Sequence, residues 1–380
     1  MLLDNPYNRD WRVENEINCL INSGYKVHLI CTEGTLEEKH VEKEGLIIDR
    51  IITNKLYQPL RKAYKENEKE VINFIIKLNP DVIHCHDFRM LLIGAKIKRL
   101  KPSVNFIFDS HEYLPGYPYY KRIPKKLNRF KGKFIWKYYL YNHDKIMPLV
   151  DHVISVSQPI CDKFETRYCK QWHLIRNMPD KIKLAKRNDR YFNTKYNIPN
   201  NHKIIVHTGN THFNLDRFET LTKTINHFKN ISLIFLGSQT SIVPMKKFIK
   251  ENNIKSVYFH ENIPRSEITY YCSQADIGLV YFWNPEWESY DFAMPNKLLD
   301  TSLAGLPIIS TNQTGLRLFS EKHKHMVLFS GDDKESLSEA IYKMLDNYKQ
   351  LKFNAEKVAQ NVNWGKESKV LTNLYSSIQN

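Results

Sequence analysis

Short polar clusters directly follow apolar runs in this sequence, and they contain side chains that can act in catalysis or ligand binding. Asp109-Ser110-His111-Glu112 follows the apolar run NFIF at 105–108. Polar residues at the carboxyl end of a parallel strand point into the crevice where ligands bind. A histidine there can donate to a substrate oxygen or titrate near neutral pH. The alternative interpretation is that His111 and Glu112 only cap the segment that follows.

A second cluster, His84-Cys85-His86-Asp87, ends another apolar run. Histidines two positions apart on a strand face the same side, so metal binding has to be considered. No cysteine or carboxylate set with the spacing of a zinc site lies near them in the sequence. We therefore predict no metal site here and expect a structural or cleft-lining role.

A third cluster, His207-Thr208-Gly209-Asn210, ends an apolar run in the second half of the chain, and Arg217 follows it. Glycine allows the backbone to approach a ligand closely. An arginine can bind a diphosphate through two parallel hydrogen bonds. The alternative is that Arg217 is a solvated residue at the start of a helix.

A helix with chemically useful residues is predicted within 291–311, which reads DFAMPNKLLDTSLAGLPIIST. Pro295 suits the first helical turn, and Gly305 suits a left-handed position just past the helix end. The positive end of such a helix attracts phosphate, and Lys297 adds a full charge. The carboxylate of Asp300 can accept hydrogen bonds from a vicinal diol such as ribose. Taken alone, this pattern also fits an ordinary connection between helix and strand.

The stretch 121–141, KRIPKKLNRFKGKFIWKYYLY, holds eight Lys or Arg, six aromatic residues and no acidic residue. This composition suits the headgroup region of an anionic membrane. It could also bind single-stranded nucleic acid, or form a solvated helix whose aromatic side chains enter the core. A role in nucleic-acid binding rests on charge alone, so we expect no nucleic acid as partner. An anionic membrane surface and a solvated helix both stay open for this stretch.

The alternation of apolar runs with helical patterns predicts an α/β fold with parallel sheets covered on both faces. In the first half we predict strands at 25–32, 46–52, 81–85, 105–109, 152–156 and 172–176, and helices at 11–22, 60–78, 90–100, 125–140 and 159–168. In the second half we predict strands at 204–208, 231–237, 257–260, 277–280, 307–310 and 326–328, and helices at 215–228, 244–252, 265–273 and 295–304, with more from 335 onward.

The 380 residues suit two domains. We predict two Rossmann-like doubly wound domains facing across a cleft, where ligands of such folds generally bind. The boundaries are 1–180 for an N-terminal acceptor-binding domain, 181–202 for a polar hinge, and 203–362 for a C-terminal nucleotide-binding domain. A final helix at 363–380 is a candidate to cross back to the first domain.

Charge and composition narrow the class of partner and the location. The formal net charge of +15 favours anionic partners such as phosphorylated substrates, membranes or nucleic acid. The six cysteines form no CxxC pair, which makes disulfides and zinc binding unexpected. The sequence has no long uncharged apolar run and no signal-peptide pattern. We expect a cytoplasmic protein, with a peripheral location on the inner face of the cell membrane as an open alternative.

Taken in order, these stretches resemble glycosyltransferases of the GT-B fold, in the large retaining family 4, nearly from end to end. The matching stretches are DWRVE at 10–14, SGYKV at 23–27, PDVIHCHD at 80–87, FDSHE at 108–112, VDHVISVS at 150–157, IRNMPD at 175–180, HTGN at 207–210 and PNKLLDTSLAGLPIIST at 295–311.

The resemblance implies that the second domain binds a nucleotide sugar and the first binds a hydroxyl acceptor, with retention of anomeric configuration. No Asp-x-Asp pair is present, so we expect no metal and no other cofactor; positive side chains and a helix start would stabilise the leaving diphosphate. The implied catalytic residues are His111, Lys297 and Arg217. The implied donor contacts are Gly209, Asn210, Asp291, Ala293, Met294, Pro295, Asn296 and Asp300, and the acceptor side comprises Asp10, Arg12, His86 and Glu112.

The sequence departs from the family pattern at positions that are usually charged. Asp300 lies where the family usually has the glutamate that holds ribose. The family's other glutamate falls on Phe292, with Glu288 and Asp291 as substitutes nearby. Asn210 lies where many members have an arginine.

Three functions remain open on the sequence alone. The first is a glycosyltransferase that acts on a glycan or lipid-linked glycan in cell-surface polysaccharide synthesis. The second is a non-hydrolysing sugar-nucleotide epimerase, which shares the two-domain architecture. The third is a non-catalytic protein that binds sugar nucleotides or polysaccharide, suggested by Phe292 and Asn210. The base and sugar of the donor are not indicated.

Overall fold

The computed structural model describes residues 1–8, 10–53, 62–179, 191–209, 215–237, 242–281, 287–331 and 333–379. The chain folds as two compact units. The first unit comprises Met1–Asn177, Glu286–Ala293 and Glu367–Asn380, and the second comprises Met178–Pro285 and Met294–Lys366.

Strands and helices alternate through the first 177 residues. The strands are β1 (Leu2–Leu3), β2 (Val27–Thr32), β3 (His40–Lys43), β4 (Leu46–Ile52), β5 (Val82–His86), β6 (Asn105–Ser110), β7 (His152–Ser155) and β8 (Trp172–Leu174). The helices are α1 (Trp11–Asn22), α2 (Lys62–Leu78), α3 (Asp87–Leu100), α4 (Lys126–Ile146) and α5 (Gln158–Tyr168).

The same alternation continues after residue 177. The strands are β9 (Lys203–Thr208), β10 (Ile231–Leu236), β11 (Val257–Phe259), β12 (Ile277–Val280), β13 (Ile308–Thr311) and β14 (Met326–Phe329). The helices are α6 (Tyr191–Tyr196), α7 (Leu215–His227), α8 (Ile242–Glu251), α9 (Ile268–Ser273), α10 (Glu288–Asp291), α11 (Asn296–Leu303), α12 (Thr314–His323), α13 (Lys334–Asp346), α14 (Tyr348–Asn361) and α15 (Trp364–Gln379).

The first unit has a sheet in the order β3-β4-β2-β1-β5-β6-β7-β8, in which only the β3–β4 pairing is antiparallel. Its central strands are buried because helices cover both faces of a doubly wound sheet. β5 and β6 pair in parallel with His86 opposite Asp109. This register brings the polar ends of the two strands side by side.

The second unit has a parallel sheet in the order β11-β10-β9-β12-β13-β14. Every residue of β10 is buried, and β9 is buried except for Lys203 at its start. Such continuous apolar strands are typical of parallel sheets covered on both faces. The predicted α/β chain with two Rossmann-like domains is therefore confirmed.

β3 and α12 are among the elements that the sequence analysis did not predict. β3 reads HVEK and is mostly exposed at the sheet edge, so it has no apolar run to reveal it. In α12 the buried positions are few, Gly315, Leu316 and Phe319, which makes the helical period weak. The helix predicted to begin at Met90 begins at Asp87 instead.

The ends of α11 confirm one expectation and correct another. Gly305 has φ +70°, and the N–H groups of Gly305 and Leu306 donate to the carbonyls of Ser302 and Thr301, as in a Schellman motif. Pro295, expected inside the first turn, is the extended N-cap residue at ψ 142°. Its carbonyl accepts the first helical hydrogen bond, from Leu298 N–H at 2.9 Å.

Among the helices that the structure describes, none combines the length and the apolar character needed to cross a membrane.

Candidate functional site

A buried ion pair lies where the carboxyl end of β6 meets the start of α1. Arg12 donates from Nε and Nη2 to the two oxygens of Asp109, at 2.8 and 2.9 Å, and from Nη1 to the carbonyl of Ile175 at 2.7 Å. Arg12 is 3% exposed and Asp109 is fully buried. Burial would raise the pKa of Asp109, but the positive charges of Arg12 and His111 outweigh it and hold this pKa well below its usual value. Asp109 is therefore an anion.

Glu16, His84 and His86 surround this ion pair, and all three are buried. The two histidine rings stack with their centroids 4.5 Å apart, as expected for alternate residues of one strand. Burial lowers the pKa of both histidines, so both are neutral at pH 7. Burial raises the pKa of Glu16 to about 8, with Arg12 opposing the shift and Asp109 adding to it. Glu16 is therefore mostly protonated at neutral pH.

These side chains have the donor types of a metal site. Glu16, His84, His86 and Asp109 each place one ligand atom within 4.8 Å of the others. However, both oxygens of Asp109 already accept hydrogen bonds from Arg12, and the permanent charge of Arg12 disfavours a second cation beside it. We interpret the group as a charge network built around the Arg12–Asp109 pair, and the absence of a metal stays a prediction.

His111, the catalytic candidate of the first half, joins the network at its edge. Its Nε2 lies 3.4 Å from Asp109 Oδ2, and its Nδ1 lies 3.2 Å from Asp87 Oδ2. Burial would lower the pKa of His111, but these two carboxylates raise it well above its usual value. The side chain is 22% exposed, so a ligand can reach it.

The predicted acceptor-side residues divide into buried and accessible ones. Arg12 and His86 are buried and contact Asp109. Asp10 is the N-cap of α1, since its side chain accepts from Val13 N–H at 3.2 Å. Glu112 is exposed, and its carbonyl accepts from Ser110 Oγ. Their roles toward an acceptor stay predictions.

The last helix contributes to the same network from the end of the chain. Arg176 meets Glu367 at 2.7 Å, and the hydroxyl of Tyr375 lies 3.0 Å from His84 Nδ1. Nothing in the spacing of the sequence indicated that Glu367 belongs beside Arg176 or that Tyr375 belongs beside His84 of β5.

The segment after Glu286 packs into the first unit, although it directly precedes α11. Phe292 is 7% exposed and belongs to the core of that unit, with its ring centroid 5.6 Å from that of Tyr113. Its carbonyl accepts from Ser157 Oγ at 2.6 Å. The residue at this usually acidic position therefore packs in a hydrophobic core. Asp291, at the end of α10, and Ala293 lie beside it, whereas the next predicted donor residue, Met294, belongs to the second unit.

In the second unit, Lys297 lies in the first turn of α11, directly after Asn296. Its Nζ lies 3.1 Å from Nε2 of His207, near the end of β9. Burial lowers the pKa of Lys297 to about 8 and, together with the lysine charge, holds that of His207 well below its usual value. An ammonium only donates, so the neutral His207 accepts at Nε2. Among the residues that the structure describes, no carboxylate forms an ion pair with Lys297.

Asp300, one turn further along α11, has a partner that sequence reasoning missed. Arg265 donates from Nη1 to Asp300 Oδ1 at 2.6 Å, and Asp300 is 2% exposed. Burial raises the pKa of Asp300 to about 6, and Arg265 opposes that shift. Thirty-five positions separate the two residues, so no local pattern could have linked them.

The ends of β9 and β10 form a close glycine pair. Gly209 has φ +85° and Gly237 has φ +123°. A Cβ on Gly237 would lie 3.1 Å from the backbone N of Gly209, whereas a Cβ on Gly209 would meet nothing within 4 Å. Gly209 therefore leaves open space of the kind that the sequence analysis expected for a ligand. Arg217 lies in the first turn of α7, and Asn210 falls outside the described residues.

Comparisons with known proteins agree with this architecture. Residues 11–180 match the family model described as Glycosyltransferase Family 4, and residues 202–347 match the model described as Glycosyl transferases group 1. A search of curated proteins found no match. Two consecutive matches of this kind, on two Rossmann-like units, define a GT-B glycosyltransferase.

Solved structures resemble the chain over almost its whole length. Sucrose-phosphate synthase from Thermosynechococcus elongatus is 18% identical, with a TM-score of 0.72 over 96% of this chain and 92% of that chain. HepE from Anabaena in complex with UDP-glucose is 13% identical, with a TM-score of 0.69 over 99% and 98%. A glycosyltransferase from Rickettsia africae ESF-5 is 15% identical, with a TM-score of 0.69 over 100% and 97%. The chain belongs to the family 4, group 1 glycosyltransferases.

The protonated state of Glu16 has a consequence for stability. Its pKa is about 8 in the folded chain, against an ordinary value of 4.5. Between these values the folded state holds a proton that the unfolded state releases. The stabilisation of the fold by this proton is therefore fully present at low pH and is lost as pH rises through 8. We expect the free energy of unfolding of Glu16→Gln to rise relative to that of the native chain by about 1 kcal/mol per pH unit from pH 5 to 8.

Urea-induced unfolding at pH 5, 6.5 and 8 measures this difference. The control is Glu339→Gln, because the Glu339 side chain is 67% exposed and its substitution should leave the difference constant. A constant difference for Glu16→Gln as well would show that Glu16 is ionised in the fold.

Proposed function

We propose that this protein transfers a sugar from a nucleotide sugar to a hydroxyl group of a glycan or lipid-linked glycan, with retention and without a metal ion. The likeness of the fold to HepE, which is solved with UDP-glucose, supports a nucleotide-sugar donor. Retention is proposed from the resemblance to a retaining family. A place in cell-surface polysaccharide synthesis follows from the acceptor class that we propose.

The observation that carries the proposal is Lys297. Its ammonium is partly buried at the positive end of α11, where its polar partner is the neutral His207 rather than a carboxylate. Removing a cation from water without a counter-ion is costly, and the lowered pKa of Lys297 reflects that cost. A bound diphosphate would supply the missing negative charge, and the helix dipole adds to the attraction.

The neighbouring residues fit the rest of a nucleotide. Asp300 lies on the same helix, and Arg265 both opposes its protonation and holds one of its oxygens. A carboxylate held in this way can accept hydrogen bonds from ribose hydroxyls. The open space beside Gly209 would allow the backbone to approach the phosphates.

In the proposed reaction, the bond between the anomeric carbon and the diphosphate oxygen breaks first. Lys297 and the helix start stabilise the charge that develops on the departing diphosphate. The acceptor oxygen then bonds to the anomeric carbon on the same face, and the hydroxyl proton leaves with the diphosphate. No group of the protein forms a covalent bond with the sugar in this scheme.

We also propose that α4 holds the protein at an anionic membrane, where a lipid-linked acceptor would be found. Phe130, Phe134, Tyr138 and Tyr141 are each more than half exposed, at spacings that place them along one side of the helix. Exposed lysines alternate with them along the helix. Aromatic rings among positive charges suit the interface of an anionic bilayer.

Replacing Lys297 tests the donor site. We expect Lys297→Ala to lower kcat/KM for transfer by about 10²–10³-fold, because a charged donor to the leaving diphosphate is lost. The control is Lys203→Ala, since Lys203 begins β9 at the opposite end of the strand from His207 and pairs with Asp276. The measurement is release of nucleoside diphosphate from a panel of nucleotide sugars, each with and without glycan acceptors.

Full activity of Lys297→Ala would contradict the donor site. Interconversion of the sugar nucleotide without any acceptor would instead show an epimerase. Binding of the nucleotide without turnover over a broad acceptor panel would show a binding protein.

Flotation with vesicles tests the membrane contact. We expect the protein to float with vesicles rich in phosphatidylglycerol and not with pure phosphatidylcholine. Phe130→Ser combined with Phe134→Ser should weaken that binding by about tenfold or more, because two apolar side chains are lost from the interface. The matched control combines Tyr342→Ser with Phe353→Ser, which replace aromatic side chains of other helices that are also more than half exposed. Equal binding of both double variants would rule out α4 as the contact.

A further inference from the structure

Both ring nitrogens of His111 face a carboxylate. Nδ1 lies 3.2 Å from Asp87 Oδ2, and Nε2 lies 3.4 Å from Asp109 Oδ2. The backbone N–H of His111 also donates to Asp87 Oδ1 at 3.1 Å. A neutral imidazole has one N–H and one acceptor nitrogen, whereas an imidazolium donates from both. The arrangement therefore fits a protonated ring whose two donors are already engaged.

Asp87 occupies an unusual backbone position to make these contacts. Its φ is +62°, in the left-handed region that residues other than glycine rarely occupy. Strain of this kind persists where the surrounding structure requires it, and it is common at functional sites. The side chain that the strained residue presents contacts both the ring and the backbone of His111. A glycine at this position would suit the backbone but could not make these contacts with His111.

The other charged groups near His111 do not replace Asp87. Asp109 of β6 is shared with Arg12, which already engages both of its oxygens. His86 of β5 lies 3.5 Å from His111 Nε2 and is neutral, because burial lowers its pKa. Glu16 of α1 is mostly protonated at pH 7. Asp87 thus contacts His111 without the competing arginine that engages Asp109.

We propose that Asp87 is a positioning residue that fixes the ring of His111 and keeps it as an imidazolium, so that His111 acts on the sugar donor as a permanent positive charge. The inference rests on the proposed function and on the catalytic role that the family resemblance implies for His111. It differs from the role expected on the sequence alone, because a ring with both nitrogens engaged neither takes up nor releases a proton near neutral pH. The ligand chemistry that suits this charge is an electron-rich oxygen of the sugar or its departing diphosphate.

The protonation state of His111 can be measured directly. In protein labelled with ¹³C and ¹⁵N histidine, we expect His111 to stay protonated at pH 8 in the native chain and to lose its proton at lower pH in Asp87→Asn. Asp87→Gly provides a second variant, since glycine suits the left-handed backbone and removes the carboxylate without strain. The control is Asp144→Asn, because Asp144 is a similarly exposed aspartate of the first unit that pairs with Arg167 and should leave His111 unchanged.

The same variants carry a kinetic signature. We expect kcat/KM of Asp87→Asn, relative to the native chain, to fall by about tenfold from pH 6 to pH 8.5, as the less stabilised imidazolium loses its proton. Asp144→Asn should follow the native profile, and Asp87→Glu should restore part of it. A purely structural role of Asp87 would lower activity equally at all pH values.

The two assays separate this inference from the proposed function. An unchanged titration of His111 in both Asp87→Asn and Asp87→Gly would overturn the positioning role, and so would a neutral His111 in the native chain at pH 7. If no donor supports transfer by the native chain, the proposed function fails, and the titration still decides whether Asp87 fixes the charge of His111.

Discussion

The ion pair between Arg12 and Asp109 is the interaction on which the polar centre of the first unit depends. Two charges buried this deeply are tolerable only when they meet in good geometry and their remaining polar atoms are satisfied. Here two parallel hydrogen bonds join them, and the carbonyl of Ile175 takes a third donor of the guanidinium. The pair thereby links the first turn of α1 with the ends of β6 and β8. Loss of one partner would leave an uncompensated buried charge, which costs about 3–5 kcal/mol.

The state of the neighbouring groups follows from that pair. Because Asp109 stays ionised, it can hold His111 as a cation, and its charge adds to the burial that keeps Glu16 protonated. The second unit differs in one respect. Asp300 has Arg265 as its counter-ion, whereas the contact of Lys297 is a neutral histidine. The charges of Arg12, Asp109 and His111 are balanced by one another and by Asp87, whereas the cation at the start of α11 is balanced best by an anionic ligand.

The elements were largely predictable because apolar runs and helical periods are local signals. The bounds of β4, β12 and α1 agree with the sequence analysis residue by residue, and His84 and His86 share a face as their spacing requires. The polar clusters at strand ends were visible for the same reason. Partners distant in the chain were not: the pairing of Arg265 with Asp300 and of Tyr375 with His84 depends on tertiary packing alone.

Phe292 is a position that the sequence analysis singled out without indicating where the side chain packs. The family resemblance marked it as a departure from an acidic residue, but the apolar character of one side chain does not reveal which core it enters. In the structure it packs against Tyr113, more than 170 positions away in the chain. Asp87 is similar, since neither its left-handed backbone conformation nor its contacts with His111 could be read from the local sequence.

The central claim is that Lys297 binds the diphosphate of the donor. Calorimetric titration of nucleoside diphosphates across pH tests this claim most directly. With its pKa lowered to about 8, the ammonium is lost at a pH where an ordinary lysine stays charged. Affinity of the preferred nucleoside diphosphate should therefore fall as pH rises from 7 to 9, and this fall should be absent in Lys297→Gln, which binds weakly throughout. The same affinity and pH profile in the native chain and in Lys297→Gln would contradict the account.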